Sequence, residues 1–503
     1  MLLCFSLQKK IFRVYLPAML KRYFLSNLMI MVFLNLLVKP VWIFLIDRNV
    51  QLLVGHADYG LYSALMSMSI IFSILLDFGI TNYNNRHIAG DSTRIEFSLP
   101  NMMVAKLAFS LVYFGVLFLV AYFIHYEAKA LHVLFLLGCV QFLNSFLQFL
   151  RSNVSANHDF VIDSILSVID KVLMILSCGL MLTLSRWKTL FTIEWYLYAQ
   201  IGAYLFAVLI ALGVIIRRYS RIHFRYVSIQ GTWNFIVESA PYALLILLMG
   251  IYMRSDSLML ERLVGAQAGS VYAEAYRILD ALNMIGFLLA GILLPMFTRM
   301  ISRMDDPAAL VRSSTNIVFS MSLAVLAHSW FYASDIMYFL DHQADKDLPQ
   351  IYQFVIASFP AYCIMYIYST LLTANGNIRL LIRMALLGSI LSIGLNFWLI
   401  PSFQARGAAV SALIVQYTMA VISLYYCIRY FHLGADAMRM LKFVGLFLVL
   451  ALCNAASHRY GISLLYSMIL NVPVYLSYVY ATRLWDWRDI SAYIKQFKSA
   501  ESR

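Results

Sequence analysis

Long apolar stretches separated by short polar segments run along most of the chain. Each stretch has about the 20 apolar residues that a helix needs to cross a bilayer core of roughly 30 Å. The short alternating segments of membrane barrels do not occur, and backbone groups in lipid must bond within their own segment, so the pattern predicts helices. Fourteen spans are predicted, at 24–46, 59–80, 101–125, 131–150, 164–185, 194–216, 236–254, 271–297, 314–340, 352–374, 380–400, 407–430, 439–456 and 462–480.

The composition indicates the same fold class. Of the 503 residues, 62% are hydrophobic and 13% are charged, whereas a soluble domain is about half apolar and about a quarter charged. So few charges exclude a soluble enzyme, and so many apolar residues exclude a disordered chain. We therefore expect an all-α polytopic membrane protein. Its function must lie within the helix bundle, because no connecting segment is long enough for a soluble catalytic domain.

The basic residues are distributed unevenly between the two sides of the predicted bundle. Lys and Arg number 38 against 25 acidic residues, which gives a net charge of +13. If the basic N-terminal segment is cytoplasmic, most of the Lys and Arg outside the spans fall on that same side, as the positive-inside rule requires. The sequence therefore predicts cytoplasmic N- and C-termini, and its net charge needs no nucleic-acid partner.

Two segments 210 positions apart resemble each other. VGHADYGLYSA begins at Val54, VGAQAGSVYAE begins at Val264, and Tyr62 aligns with Tyr272. Internal repeats build many transporters whose central site opens to either side of the membrane. We therefore predict a cytoplasmic basic leader at 1–23, an N-lobe of spans 1–6 at 24–216, a cytoplasmic linker at 217–235, a C-lobe of spans 7–12 at 236–430, and spans 13–14 with a cytoplasmic tail at 431–503.

Lysines inside the predicted spans are candidates for function, since a charge at the bilayer centre costs about 2.5–3.5 kcal/mol on insertion scales. Lys39 lies deep in the first span and precedes Pro40, which removes a backbone hydrogen bond. We interpret it as a cation that lines a water-filled cavity; the alternative is a lysine that snorkels or pairs with a carboxylate. Lys106 and Lys171 lie nearer span ends, where snorkelling suffices, and Lys171 has Asp170 as a neighbouring partner.

Arginine and acidic residues concentrate in the first, second, seventh and eighth spans. Arg277 has Glu274 and Asp280 three residues away on either side, so pairing along one helix is the alternative to a binding role. Arg48 and Arg254 lie at the ends of spans 1 and 7, where anchoring at the membrane interface is the alternative.

These charges define two sets of candidate residues. Arg and Lys bind phosphate and carboxylate groups, so we assign binding of an anionic substrate to Lys39, Arg48, Arg254 and Arg277. The candidates for coupling to H⁺ or Na⁺, or alternatively for pairing, are Asp77, Asp256, Glu274 and Asp280.

No catalytic, metal or cofactor site is predicted. Metalloprotease, phosphate-loop and nucleophile-elbow motifs are absent from the sequence, and its six cysteines include no C-x-x-C pair. Asp345 and Asp347 form a D-x-D in an outer loop, as in some membrane glycosyltransferases. Because that loop is short, we interpret it as a solvated connection.

Three groups of segments resemble bacterial polysaccharide flippases of the Wzx type, within the superfamily of multidrug, oligosaccharidyl-lipid and polysaccharide exporters. The resemblance lies in their order and spacing together with the number of predicted spans, and it extends over nearly the whole chain. The segments are 54–62 with 77–80, 255–260 with 269–277, and 375–377 with 395–401 and 407–409.

The resemblance implies a function that residue patterns alone do not give. It implies a flippase that moves a lipid-linked oligosaccharide, usually on undecaprenyl diphosphate, across the bacterial inner membrane for surface polysaccharides such as the O-antigen of lipopolysaccharide. It also implies two lobes around a cavity with alternating access. Membrane lipids, a polysaccharide polymerase and glycosyltransferases are the expected partners. The alternatives are a cation-coupled multidrug antiporter of the same superfamily, a membrane glycosyltransferase or polymerase, and an uncoupled scramblase.

Overall fold

The computed structural model describes residues 34–35, 37–78, 95–156, 159–183, 191–218, 229–341, 346–434 and 436–485. The predicted leader, part of the predicted linker and the end of the tail lie outside these residues. Within them the chain is helical and forms no strand. After a π-helical turn at Trp42–Asp47, the helices are α1 (Arg48–Val54), α2 (His56–Phe72), α3 (Ile74–Asp77), α4 (Ile95–Phe123), α5 (Ala128–Ala156), α6 (Phe160–Leu166), α7 (Ile169–Thr183), α8 (Ile193–Arg218), α9 (Ile229–Leu263), α10 (Ala266–Ser302), α11 (Ala308–Phe331), α12 (Ala333–Leu340), α13 (Leu348–Ala357), α14 (Phe359–Ala374), α15 (Ile378–Phe431), α16 (Ala437–Arg459) and α17 (Leu464–Ala481).

The all-α membrane fold is confirmed, although the count of fourteen spans is not. In the described part of the chain, eleven helical segments are long and apolar enough to cross a membrane. One of them, α15, joins two predicted spans across a break at Gln404, whose φ of 50° and ψ of −130° are not helical. Within the described residues, the second predicted span is divided between α2, which has 17 residues, and the short helix α3.

Two groups of helices have their own hydrophobic cores. We call the π-helical turn with α1–α8 the N-terminal bundle and α9–α15 the C-terminal bundle. The core of the first includes fully buried Leu117 and Leu137, and those of the second include Leu279 and Leu371. Large apolar side chains also point outward, as a lipid-facing surface requires. Leu111 is 75% exposed.

The last two helices attach to the C-terminal bundle through α11. Phe443 and Leu446 of α16 pack with Leu323 of α11 in a separate buried cluster. Beside that cluster, His328 of α11 lies 3.0 Å from the side-chain oxygen of Asn454, which also accepts a hydrogen bond from α17. Polar and apolar contacts together fix the appended pair.

The two bundles approach each other closely where α2 crosses α10. A Cβ atom at Gly60 would lie 1.6 Å from the carbonyl oxygen of Ala266, so only glycine fits this crossing. Just before the crossing, Gly55 and Gly265 begin α2 and α10 with φ of 87° and 130°, a backbone conformation that favours glycine. We call this side of the molecule the Gly55–Gly265 end.

Polar contacts hold the bundles together at this end. The amide of Gln51 donates to the Ser270 hydroxyl at 3.0 Å, and a ring nitrogen of His56 lies 3.2 Å from the same oxygen. Tyr126 donates to a Glu261 carboxylate oxygen at 2.6 Å. The Gly55–Gly265 end is therefore closed in this conformation by backbone packing and hydrogen bonds between the bundles.

We expect Gly60→Ala to destabilise this closed arrangement, because the added methyl group would overlap the backbone of α10. Overpacking of this kind costs about 1–3 kcal/mol, so the melting temperature of the purified protein should fall. Gly115→Ala is the control, since Gly115 is exposed and has no atom within 4 Å of its Cβ position. Equal melting temperatures for the two variants would contradict the close crossing.

Candidate functional site

A cavity of about 280 Å³ lies between the two bundles. The π-helical turn, α2, α5, α7 and α8 form its N-terminal wall, and α9 and α10 form its C-terminal wall. Its charged lining residues are Asp47, Lys171, Arg254, Asp256, Arg277 and Asp280. The described lining therefore balances three cations with three carboxylates.

Asp47 and Arg277 form an ion pair that crosses from one bundle to the other. The Nε of Arg277 lies 3.3 Å from the carboxylate of Asp47, and its guanidinium also donates to the side-chain oxygen of Gln51. Asp47 accepts further hydrogen bonds from the hydroxyls of Tyr59 at 2.7 Å and Tyr196 at 2.9 Å. Side chains from four helices thus meet at this ion pair. Arg277, Tyr59 and Tyr196 contact the Asp47 carboxylate, and Gln51 contacts Arg277.

Local structure and burial both indicate that this ion pair is costly to break. Asp47 is the last residue of the π-helical turn, a rare geometry that frequently occurs at functional sites. The side chains of Arg277 and Asp47 are 3% and 16% exposed. Removing one partner of such a pair leaves an uncompensated buried charge, which is strongly destabilising.

The C-terminal wall holds a second arginine–carboxylate pair. Arg254 lies 3.2 Å from Asp280, and its guanidinium lies over the ring of Tyr276 at 5.6 Å from the centroid. The nearby Asp256 accepts hydrogen bonds from the Tyr272 hydroxyl and from the backbone N–H of the next residue. Both cavity arginines therefore have carboxylate partners in this conformation.

Lys171 is the third cation of the cavity and belongs to the N-terminal bundle. It forms the expected pair with Asp170 at 3.2 Å, and it donates to the Tyr204 hydroxyl at 3.0 Å. Its ammonium lies 5.4 Å from the centroid of the Trp42 ring. Of the two sequence interpretations, the pairing with Asp170 is the one present, and aromatic groups also hold Lys171 at the cavity wall.

The structure places two predicted substrate anchors outside the described cavity lining. Lys39 is half-buried in the N-terminal bundle, where it interacts electrostatically with Asp170 and Lys171. Arg48 donates to the carbonyl oxygens of Phe339, at 2.8 Å, and Leu340 at the end of α12. Arg48 therefore connects the bundles at the Gly55–Gly265 end.

The predicted carboxylates also separate into different environments. Asp256 and Asp280 line the cavity, whereas Asp77 pairs with buried Lys106 at 2.7 Å near the end of α3. Glu274 is 2% exposed, and its Oε1 has no hydrogen-bond partner among the described residues.

The predicted partners of Arg277 require a correction. Sequence spacing offered Glu274 and Asp280, but Arg277 pairs with Asp47 of the other bundle and Asp280 pairs with Arg254. Spacing along one helix identifies neighbours on that helix only, and the shorter contact here is made across the interface between the bundles.

Several cavity residues were absent from the sequence prediction. Asp47 ends the first predicted span beside Arg48, where anchoring at the membrane interface is the expectation, and the sequence indicates no role for Tyr59, Tyr196 or Gln200. The repeat offered one signal, because Tyr62 and its counterpart Tyr272 both line the cavity. No sequence signal pointed to α8.

A family model described as polysaccharide biosynthesis protein matches residues 23–301, more than half of the chain. This match confirms the family-level resemblance seen in the sequence. The comparison with curated proteins gives no match.

Solved structures of transporters share the fold. The lipid II flippase MurJ in an inward closed conformation has a TM-score of 0.64 at 12% identity, covering 92% of this chain and 98% of its own. An inward-facing multidrug resistance transporter of the MATE family has a TM-score of 0.62 at 16% identity, with coverages of 81% and 97%. The Vibrio cholerae MATE transporter VcmN in its bent form has a TM-score of 0.56 at 14% identity, with coverages of 83% and 98%.

We expect a double-mutant cycle on Asp47→Asn and Arg277→Gln to give a large coupling energy in thermal or chemical unfolding. Each single variant should lose about 3–5 kcal/mol, because a buried charge is left without its partner, and the double variant should lose less than the sum. The matched control is the exposed pair Asp58–Lys129, joined at 2.8 Å, whose coupling should be about 0.2–1 kcal/mol. Additive losses at Asp47 and Arg277 would refute the bridge.

Proposed function

The chain belongs to the polysaccharide biosynthesis protein family, and on that premise we propose that it is a flippase for a lipid-linked oligosaccharide. The substrate is of the undecaprenyl diphosphate type, and the protein moves it across the bacterial inner membrane by alternating access. The product serves synthesis of a surface polysaccharide such as O-antigen. The N- and C-termini are cytoplasmic, and a polymerase and glycosyltransferases act on the same pathway.

The observation that carries this proposal is the pair of arginines on one wall of the cavity between the bundles. Arg254 and Arg277 line it together, and arginine presents a planar set of donors that matches phosphate oxygens. A diphosphate between these side chains would receive charge-assisted hydrogen bonds from both. Lys39 and Arg48 remain predicted anchors outside the lining.

Exchange of partners gives a mechanism for alternating access. A diphosphate that enters the cavity competes with Asp47 for Arg277 and with Asp280 for Arg254. When Arg277 changes partner, the ion pair between the bundles is lost and the Gly55–Gly265 end loses one of its connections. A ligand shifts a conformational equilibrium only by binding one state better. The diphosphate favours the open state because Arg277 is free to bind it there.

The released carboxylates provide the site for ion coupling. Asp47 and Asp280 carry uncompensated negative charge once the diphosphate holds their arginines, so binding of H⁺ or Na⁺ compensates them. Asp256 lies in the same cavity, and buried Glu274 lies one helical turn from Arg277, so both remain coupling candidates. Asp77 has a structural partner in Lys106.

A cation-coupled multidrug antiporter is the second candidate function. It is supported by the fold likeness to the MATE transporters and by the three carboxylates of the cavity, which suit cationic solutes. The two functions differ in which charges the substrate needs: the arginines for a lipid diphosphate, the carboxylates for a cationic drug.

We expect Arg254→Gln to reduce surface polysaccharide at least about tenfold in cells that lack the native gene, because a lost charge-assisted hydrogen bond costs about 1.5–3 kcal/mol. Lys129→Gln, at an exposed lysine outside the cavity, is the matched control. Immunoblotting of membranes should show equal protein, and polysaccharide is measured by gel staining.

The same strains separate the two functions. Normal polysaccharide with Arg254→Gln, together with increased sensitivity to cationic drugs when the gene is deleted, would favour the antiporter and contradict the flippase.

A further inference from the structure

The two walls of the cavity have different chemistry. The C-terminal wall holds four charged groups, Arg254, Arg277, Asp256 and Asp280, together with Tyr272 and Tyr276. The N-terminal wall holds aromatic rings and amides with the charges Asp47 and Lys171. Its aromatic and amide residues are Trp42, Tyr59, Tyr62, Tyr196, Tyr204, Gln141, Asn144 and Gln200.

The aromatic rings form a packed and rigid surface. Trp42 stacks on Tyr196 with a centroid distance of 5.7 Å and an interplanar angle of 3°, and Tyr62 meets Tyr196 edge-on at 5.6 Å. Asp47 accepts hydrogen bonds from the hydroxyls of Tyr59 and Tyr196. The hydroxyls of Tyr59 and Tyr196 are therefore already bonded within the protein, and the rings that line the cavity are exposed only in part, Trp42 at 9% and Tyr62 at 7%.

The amides beside these rings have unused hydrogen-bonding capacity. The amide nitrogen of Gln141 donates to the sulfur of Met66 at 3.5 Å, and a thioether is a weak acceptor. Gln200 interacts with the Tyr62 hydroxyl, which leaves the rest of its amide for a ligand. Both glutamines are largely buried, at 7% and 4% exposed, and both line the cavity.

This combination fits a sugar ring. A pyranose has apolar C–H faces that pack on aromatic rings and hydroxyl edges that exchange hydrogen bonds with amides, and small-molecule sites combine apolar walls with a few placed polar groups. The cavity volume of about 280 Å³ is near the lower end for such sites. It therefore suits the head of a larger substrate rather than a whole oligosaccharide.

We propose that the N-terminal wall binds the sugar next to the diphosphate, with Gln141 and Gln200 reading its hydroxyls, while Arg254 and Arg277 hold the diphosphate. This inference rests on the proposed function and adds the division of the substrate between the two walls. The glutamines then determine specificity, because a site built to bind a hydroxyl rejects a ligand that lacks it.

Binding to the purified protein in nanodiscs tests this division. The probes are undecaprenyl diphosphate and the same lipid carrying one N-acetylglucosamine. We expect the wild type to bind the glycosylated probe more tightly. Gln141→Leu and Gln200→Leu should each lower the affinity for that probe about three- to tenfold, as expected for one lost hydrogen bond. Their affinity for the bare lipid should stay within about twofold of the wild type. Gln148→Leu, at an exposed position on the same helix, is the control.

The other outcomes distinguish failure of the sugar site from failure of the proposed function. Equal affinity of the wild type for both probes, or an equal loss for both in the glutamine variants, would overturn the sugar site while leaving the flippase intact. Failure of the wild type to bind either probe would instead overturn the proposed function. Thermal melting of each variant identifies a loss of binding that comes from unfolding.

Discussion

The ion pair between Asp47 and Arg277 is the interaction on which the arrangement of the two bundles depends. It is buried, it crosses the interface, and the hydroxyls of Tyr59 and Tyr196 complete the shell of Asp47. Packing of α2 against α10 at Gly60 brings the two charges into reach. The helices α2 and α10 line the cavity and also pack together at the Gly55–Gly265 end, so the cavity and the closed end occur together.

Charge balance in the cavity has a functional consequence. A cavity with unpaired arginines would bind any anion and would be costly to desolvate. Here Arg254 and Arg277 are held by carboxylates. To displace a carboxylate, a ligand must bind the arginine more strongly than that carboxylate does. In the proposed flippase, a diphosphate carries enough charge and enough oxygens to replace both carboxylates, and this exchange would connect substrate recognition to the loss of contact between the bundles.

The sequence predicts the fold class and part of the candidate site. Apolar length predicts spanning helices wherever a helix is continuous, but it cannot locate the π-helical turn that positions Asp47 or the break at Gln404 that interrupts α15. Arg254 and Arg277 could be identified as candidates because charged residues within apolar spans or at their ends are few. Their partners could not, because pairing across an interface leaves no spacing in the sequence, as the contact between Arg277 and Asp47 illustrates.

The distance between spin labels across the Gly55–Gly265 end tests the central claim most directly. Ala128 of the N-terminal bundle and Ser402 of the C-terminal bundle are exposed there, and labelled cysteines at these positions, in an otherwise cysteine-free protein, report the separation by pulsed electron resonance. The bridge predicts that Asp47→Asn shifts the distance distribution to longer values and that undecaprenyl diphosphate does the same in the wild type. Identical distributions in all three samples would contradict it.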